Sequence, residues 1–125
     1  MTIEKPKRPG GELYGRPVQG HDGKWYDKFG QEISEQKARD TEYADRFWKR
    51  QPPGMRDSMT DNIHRAAQET PPMIGSFVDP AGMTEEDKEK LSAYRLLAEE
   101  LGYEVGQYVF NASAYTARAE IKKKP

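Results

Sequence analysis

The chain has 125 residues, of which 34% are hydrophobic and 33% charged, and its 20 basic and 21 acidic residues give a net charge of −1. This length suits one domain, and the balanced charge argues against a general nucleic-acid coat, which needs a basic surface. The absence of cysteine excludes disulfides, thiolate zinc sites and cysteine nucleophiles.

The residues that usually build a core are few. There are 5 Leu, 5 Ile, 4 Val and 4 Phe, so 18 of the 125 residues, about 14%. This lies below the roughly 20% that accompanies weak cores, although the small net charge does not fit disorder. We therefore predict a chain that folds in part alone and completes its burial against a partner.

Residues 1–22 predict an extended N-terminal arm, because prolines and glycines recur there with charges between them. Leu13, Tyr14 and Val18 are its clustered apolar side chains. The arm has two interpretations, a polar tail or a strap that inserts these three side chains into a groove of a partner. Composition alone favours the tail.

The next segment, "GKWYDKFGQEIS", predicts a short β-hairpin. Trp25 and Tyr26 would pair with Glu32 and Ile33, and Gly30 would supply the positive φ of the turn.

Two helices are predicted next, over residues 35–51 and 58–69. Ser34 can cap the first helix and the proline pair at 52–53 ends it. A second proline pair, at 71–72, ends the other. The apolar side of the first helix is thin and consists of Ala38, Ala44, Phe47 and Trp48.

The segment "PPMIGSFVDPAG" predicts an irregular crossing rather than an element. Its apolar residues would pack as a loop over the core; they are Met73, Ile74, Phe77 and Val78.

A third helix is predicted over residues 84–101. Thr84 and Asp87 have the spacing of a capping box, and Gly102 supplies the C-terminal stop. One helical face is apolar and is formed by Leu91, Tyr94, Leu97, Ala98 and Leu101.

The pattern beyond Gly102 fits two periods. Residues 103–110 fit a strand or a helix, whereas four alanines and a lysine-rich end favour a helix over residues 107–123. The predicted fold class is therefore mainly α: a small irregular helical domain over residues 23–125, with one short β-hairpin and the arm at 1–22.

No local motif indicates catalysis. The two histidines, His21 and His64, lack metal-ligand spacing, and no glycine pattern matches a phosphate-binding loop. We expect no cofactor, no metal and no enzymatic activity. The absence of a secretory signal and of a long apolar run predicts a cytoplasmic protein with no membrane partner, or a virion protein if the chain is viral.

The favoured hypothesis is a non-enzymatic protein that binds a larger protein or assembly. It would be an accessory or structural subunit, for example of a phage particle, or an inhibitor of a larger enzyme. The motivation is the number of aromatic residues, which exceeds what the sparse aliphatic residues can bury. The candidate partner-binding residues are Leu13, Tyr14, Val18, Trp25, Tyr26 and Trp48. The opposing interpretation places aromatics such as Phe47, Tyr94 and Tyr108 in the chain's own core.

The alternative hypothesis is a helix-turn-helix DNA-binding regulator built from residues 91–123. Its second helix would present Gln107, Asn111, Arg118 and Lys122 to DNA. Glu99, Glu100 and Glu104 count against this hypothesis, because they would repel phosphates near the turn.

Overall fold

The computed structural model describes residues 16–125, which form three helices and seven strands. The first unit of the chain ends at Glu42 and the second begins at Tyr43, so the boundary falls within the first helix. In chain order the elements are β1 (Val18–Gln19), β2 (Trp25–Tyr26), β3 (Glu32–Ile33), α1 (Glu35–Lys49), α2 (Met55–Ala67), β4 (Met73–Phe77), α3 (Glu85–Glu100), β5 (Tyr103–Val105), β6 (Val109–Asn111) and β7 (Thr116–Lys123). The predicted fold class, mainly α, is wrong: the described residues are mixed α/β with two antiparallel sheets.

The first unit contains a small sheet in the order β1-β2-β3. Asp27 shapes the turn between β2 and β3, because its carboxylate accepts hydrogen bonds from the amides of Phe29 and Gln31. Gly30 has φ of 86°, a conformation that favours glycine. The predicted hairpin is confirmed, and β1, from the end of the predicted arm, pairs with β2. Leu13, Tyr14 and the rest of residues 1–15 lie outside the described residues.

The second unit is organised around β7. This strand pairs antiparallel with β4 along one side, and with β6 and then β5 along the other. Its residues alternate in burial, since Ala117, Ala119 and Ile121 are buried whereas Arg118 and Glu120 are exposed. The sheet therefore has an inner face that packs on helices and an outer face that meets solvent.

The helices cover the inner face and complete the core. Both α2 and α3 contact β4, α2 also contacts β7, and α3 contacts β5. The main core cluster includes Phe47 from α1, two side chains from α2 and four from α3, and the sheet adds Ile74, Tyr103 and Ile121. Tyr94 is in this cluster and Tyr108 packs against it. For Phe47, Tyr94 and Tyr108, the interpretation as the chain's own core is correct.

The predicted start of α3 is confirmed in detail. The Thr84 hydroxyl accepts from the Asp87 amide, and the Asp87 carboxylate accepts from the Thr84 amide, which together form a capping box. Further along α3, the buried Glu89 carboxylate lies 2.6 Å from the guanidinium of Arg50, just beyond α1. This ion pair ties α3 to the end of α1, because a buried carboxylate without a partner is costly.

The first two helices fall close to their predicted ranges. Ser34 caps α1 by accepting from the Lys37 amide. The start of α2 lies three residues before the predicted Ser58, at Met55, after Gly54 with φ of 92°. The helix starts earlier than predicted because Gly54 caps it without a side-chain hydrogen bond, so no side-chain pattern marks this start in the sequence.

Two predictions about the C-terminal half are wrong. Residues 107–123 form β6, a turn and β7 rather than a helix, and the segment from Met73 to Phe77 forms β4 rather than an irregular crossing. The ambiguous residues 103–110 contain two strands, β5 and the start of β6. The physical reason is packing. Ala117 and Ala119 are alternate residues of β7, so both small side chains lie on the inner face under the helices. This packing outweighs the helix propensity of alanine.

The alternation along β7 can be tested by placing the same side chain on each face. Ala119→Leu puts a bulky group into a fully packed site, so we expect the free energy of unfolding to fall by about 1–3 kcal/mol. The neighbouring change Glu120→Leu points into solvent and should alter it by less than about 0.5 kcal/mol. Urea denaturation of both variants measures this difference, and equal losses would contradict the strand.

The capping box predicts a pH-dependent part of the stability. Burial raises the pKa of Asp87, but hydrogen bonds with the Thr84 and Asp79 amides and with the Thr84 side chain together outweigh burial and leave the pKa below its ordinary value. A lowered pKa in the folded state stabilises the fold above the unfolded pKa of about 3.9, and this contribution is lost as pH falls further.

We therefore expect Asp87→Asn to be less stable than the native chain at pH 7, by about 1 kcal/mol. The gap should narrow as pH falls below about 4, because Asp87 in the native chain then becomes protonated. Thermal unfolding from pH 3 to pH 7 measures the gap. A gap that stays constant over this range would show that the charge of Asp87 has no part in the cap.

Candidate functional site

The strand β4 has one side with backbone groups that no other described strand uses. Its only pairing among the described residues is with β7. The carbonyl of Pro72 accepts from the Ile121 amide, and the amide of Val78 donates to the Tyr115 carbonyl. Backbone groups alternate in direction along a strand. The amides and carbonyls of the even-numbered residues of β4 therefore point to β7. Met73, Gly75 and Phe77 therefore direct their amides and carbonyls to the free edge.

This edge lacks the features that usually protect a strand from pairing. The five residues of β4, Met-Ile-Gly-Ser-Phe, include no charged side chain and no proline. Natural sheets commonly place lysine, proline or a bulge at such an edge, because an unprotected edge recruits further strands. The edge of β4 is consequently suited to accept another strand.

The outer face next to this edge exposes apolar side chains. Phe77 lies opposite Thr116 in the strand register and is 80% exposed, while Val109 lies opposite Arg118 and is 66% exposed. Arg118 lies between Gly75 of β4 and Val109 of β6, because both of these residues are opposite it in register. The result is an apolar surface crossed by one cationic side chain.

Gly75 leaves room for that side chain. A Cβ on Gly75 would lie 2.7 Å from Cγ of Arg118 and 2.3 Å from the Ala117 carbonyl oxygen, closer than real contacts allow. The stem of Arg118 thus occupies the space above Gly75, on the side of β7 that faces the free edge. A glycine inside a strand often marks such a close approach.

A groove of about 760 Å³ runs along β4 and joins these features. It will be called the β4 groove. Besides β4 itself, α2 and α3 line it with Asn62, Ala66, Lys90 and Tyr94, and the outer face lines it with side chains that include Val109 and Arg118. The groove has two cationic side chains, Lys90 and Arg118, and no carboxylate among the described residues that line it.

The turn at the end of the outer face is held in a fixed shape. The side-chain carbonyl oxygen of Asn111 accepts hydrogen bonds from the amides of Ser113 and Ala114. Tyr115 follows with φ of 53°, the only non-glycine residue in the left-handed region among residues 16–125, and its side chain is 49% exposed. An aromatic residue in this conformation is strained relative to glycine or asparagine.

Outside the β4 groove, hydrogen bonds of titratable side chains serve local structure. The Tyr26 hydroxyl donates to the Asp22 carboxylate at 2.6 Å, which raises the pKa of Tyr26 to about 12 and lowers that of Asp22. His64 shares a hydrogen bond of 2.8 Å with the Tyr103 hydroxyl. In the described part of the chain, no three acidic or histidine side chains are grouped to hold a metal ion.

The predicted partner-binding residues that the structure describes belong to both units, and Leu13 and Tyr14 lie outside the described residues. Val18, Trp25 and Tyr26 are half-buried in the first unit, whereas Trp48 packs against the core of the second. The Trp48 ring also stacks on Arg56, whose guanidinium lies 5.6 Å from the ring centre. This packing gives Trp48 a role in the chain's own core.

The four residues of the DNA-binding alternative are placed on strands and a loop. Gln107 lies before β6, Asn111 ends β6, and Arg118 and Lys122 are exposed on β7. Lys122 faces Glu104 at 3.7 Å. The second helix on which this alternative depended is not formed by residues 103–123.

Sequence reasoning missed the β4 groove. Phe77 and its neighbours were expected to fold over the core, yet Phe77 is exposed. The uncharged run "MIGSF" between proline-containing segments was the available sign of a strand.

Comparison with protein-family models, with curated proteins and with solved structures finds no match for this chain. None of the helices in residues 16–125 combines the length and the apolar character needed to cross a membrane. The site must therefore be interpreted from its own geometry.

The strain at Tyr115 yields a test of whether the turn is optimised for stability. Tyr115→Asn places a residue that tolerates positive φ, so we expect the free energy of unfolding to rise by about 1 kcal/mol. Ala114→Asn, one residue earlier and without positive φ, should give no such rise. Urea denaturation compares the two, and a loss of stability in Tyr115→Asn would mean that its ring supports the fold.

Proposed function

We propose that this chain is a non-enzymatic protein that binds another protein through the β4 groove and the adjacent outer face. It would act as an accessory or structural subunit of a larger assembly, or as an inhibitor bound to a larger enzyme. The observation that carries the proposal is Phe77, a phenyl ring 80% exposed at the end of an uncharged edge strand.

Three physical arguments support binding rather than a passive surface. Isolated exposed apolar side chains are common, but Phe77 and Val109 share one sheet face, and Phe77 lies on the edge strand β4. Aromatic side chains are the usual anchors of protein interfaces. The free edge also offers backbone groups, which give a partner direction as well as apolar contact.

The experiment compares two exposed phenylalanines. Phe77→Ser should leave the stability within about 0.5 kcal/mol and weaken partner binding about 30-fold, the loss of an anchor worth about 2 kcal/mol. Phe29→Ser, at a 43% exposed ring in the first unit, is the matched control and should bind as the native chain does.

The measurement has two stages. Light scattering coupled to size-exclusion chromatography defines the mass of the isolated chain, and affinity capture from the native lysate then isolates the partner for titration against each variant. A folded monomer that retains no partner would refute the proposal. Equal binding by native chain and Phe77→Ser would move the interface away from β4.

A further inference from the structure

We infer that the β4 groove recognises an extended, acidic segment of the partner protein, which adds to the sheet as a strand beside β4. This inference rests on the proposed function and names the chemistry of the ligand at the same site.

The backbone of β4 selects an extended ligand. Met73, Gly75 and Phe77 each direct one amide donor and one carbonyl acceptor to the free edge, as the register with β7 requires. A helical ligand cannot use these groups, because its own backbone groups are bonded within the helix. An extended peptide has the matching donors and acceptors at the same spacing along its length.

The charges of the groove select an acidic ligand. Neither Lys90 nor Arg118 forms an ion pair or a side-chain hydrogen bond with another described residue. Lys90 lies near enough to Asp87 to help lower its pKa, but Asp87 does not line the groove. Glu120, which shares the outer face with Arg118, also lies outside the lining. A carboxylate brought by the ligand would add the first anionic group to the described lining of the groove.

Arg118 has a defined route to such a carboxylate. Its stem lies over Gly75, where no side chain intervenes between β7 and the free edge. A ligand residue paired with Gly75 would direct its side chain to the outer face, next to Phe77 and toward Arg118. Asp or Glu at that position would form a charge-assisted hydrogen bond with the guanidinium.

A second copy of this chain is the less suitable occupant. Pairing of two β4 strands would bring together two grooves whose described lining residues include cations and no carboxylate. Edge pairing would then use the backbone groups but leave the cations without partners. An extended acidic segment would pair with the backbone groups of β4 and also give the two cations a carboxylate partner.

The test is selection from a random library of twelve-residue peptides displayed on phage, with the whole chain as the immobilised target. We expect enriched peptides to have net negative charge and apolar residues at every second position. A labelled synthetic copy of an enriched peptide is then titrated by fluorescence polarisation, and its affinity should fall as salt concentration rises.

Variants of the chain identify the contact. Arg118→Glu should weaken the affinity for the peptide about tenfold or more. Lys90→Glu is a second, independent charge reversal in the groove and should weaken the same affinity. Lys122→Glu lies on the same face of β7 but outside the groove, so its affinity should match that of the native chain. Thermal unfolding of each variant confirms that it is folded before titration.

The backbone contact is tested on the peptide. Methylation of alternate peptide amides should abolish binding when it blocks the amides that face β4, and leave it unchanged when it blocks the others. Failure to enrich any peptide, enrichment of neutral or helical peptides, or indifference to Arg118→Glu would overturn the inference.

The two proposals fail separately. If Phe77→Ser loses its protein partner while the selection returns neutral or helical peptides, the proposed function stands and the acidic strand is wrong. If light scattering shows a dimer that Phe77→Ser dissociates, a second copy is the occupant and the inference is also wrong.

Discussion

Pairing of β7 with strands on both of its sides is the interaction on which the second unit depends. Residues 116–118 of β7 are bonded to β4 on one side and to β6 on the other, while the end of β7 is bonded to β5. The inner face of this strand gives the core Ala117, Ala119 and Ile121, all almost completely buried. The small alanines let α2 and α3 approach the sheet, and Ile121 fills the space near Tyr103 and Leu97. Removal of β7 would leave every other strand of the unit unpaired and the helices without a surface to cover.

The sequence predicts those parts of the fold that local interactions decide. Ser34 caps α1, Thr84 and Asp87 cap α3, and each of these caps depends on side chains within three residues. The hairpin of β2 and β3 is likewise local, since Asp27 and Gly30 shape its turn. Such signals are readable because the side chain and the backbone group that it satisfies are close in sequence.

Long-range strand pairing decides the structure of β4 and β7, and no local sequence pattern indicates that pairing. Alanines at 112, 114, 117 and 119 suggest a helix by propensity, yet strict burial of every second residue from 117 to 121 follows from contacts with β4 and α2, far away in the chain. The same pairing creates β4, whose five residues are too short and too weakly patterned to define a strand until β7 lies beside them. The candidate site could not be predicted for the same reason, because Phe77, Val109 and Arg118 come together only through the register of three strands. The aromatic composition instead suggested Trp48 as a binding residue, but the Trp48 ring packs against the core of the second unit.

Small residues on opposite faces of the sheet explain how the second unit can close its core and still expose the surface that we propose for binding. On the inner face, the small side chains of the alanines allow the helices to pack closely on the sheet. The core is therefore filled although the chain has few large aliphatic residues. On the outer face, Gly75 has no side chain, and the stem of Arg118 occupies the space above it. A cationic side chain therefore lies next to the edge strand. Phe77 ends the same strand with its ring in solvent rather than under a helix, because its odd-numbered position directs it away from the core. A shift of one residue in the β4 register would bury Phe77 and expose Ile74, and so would remove the proposed binding surface and damage the core together. The register of β4 on β7 thus sets the stability of the unit and the chemistry of its surface at once.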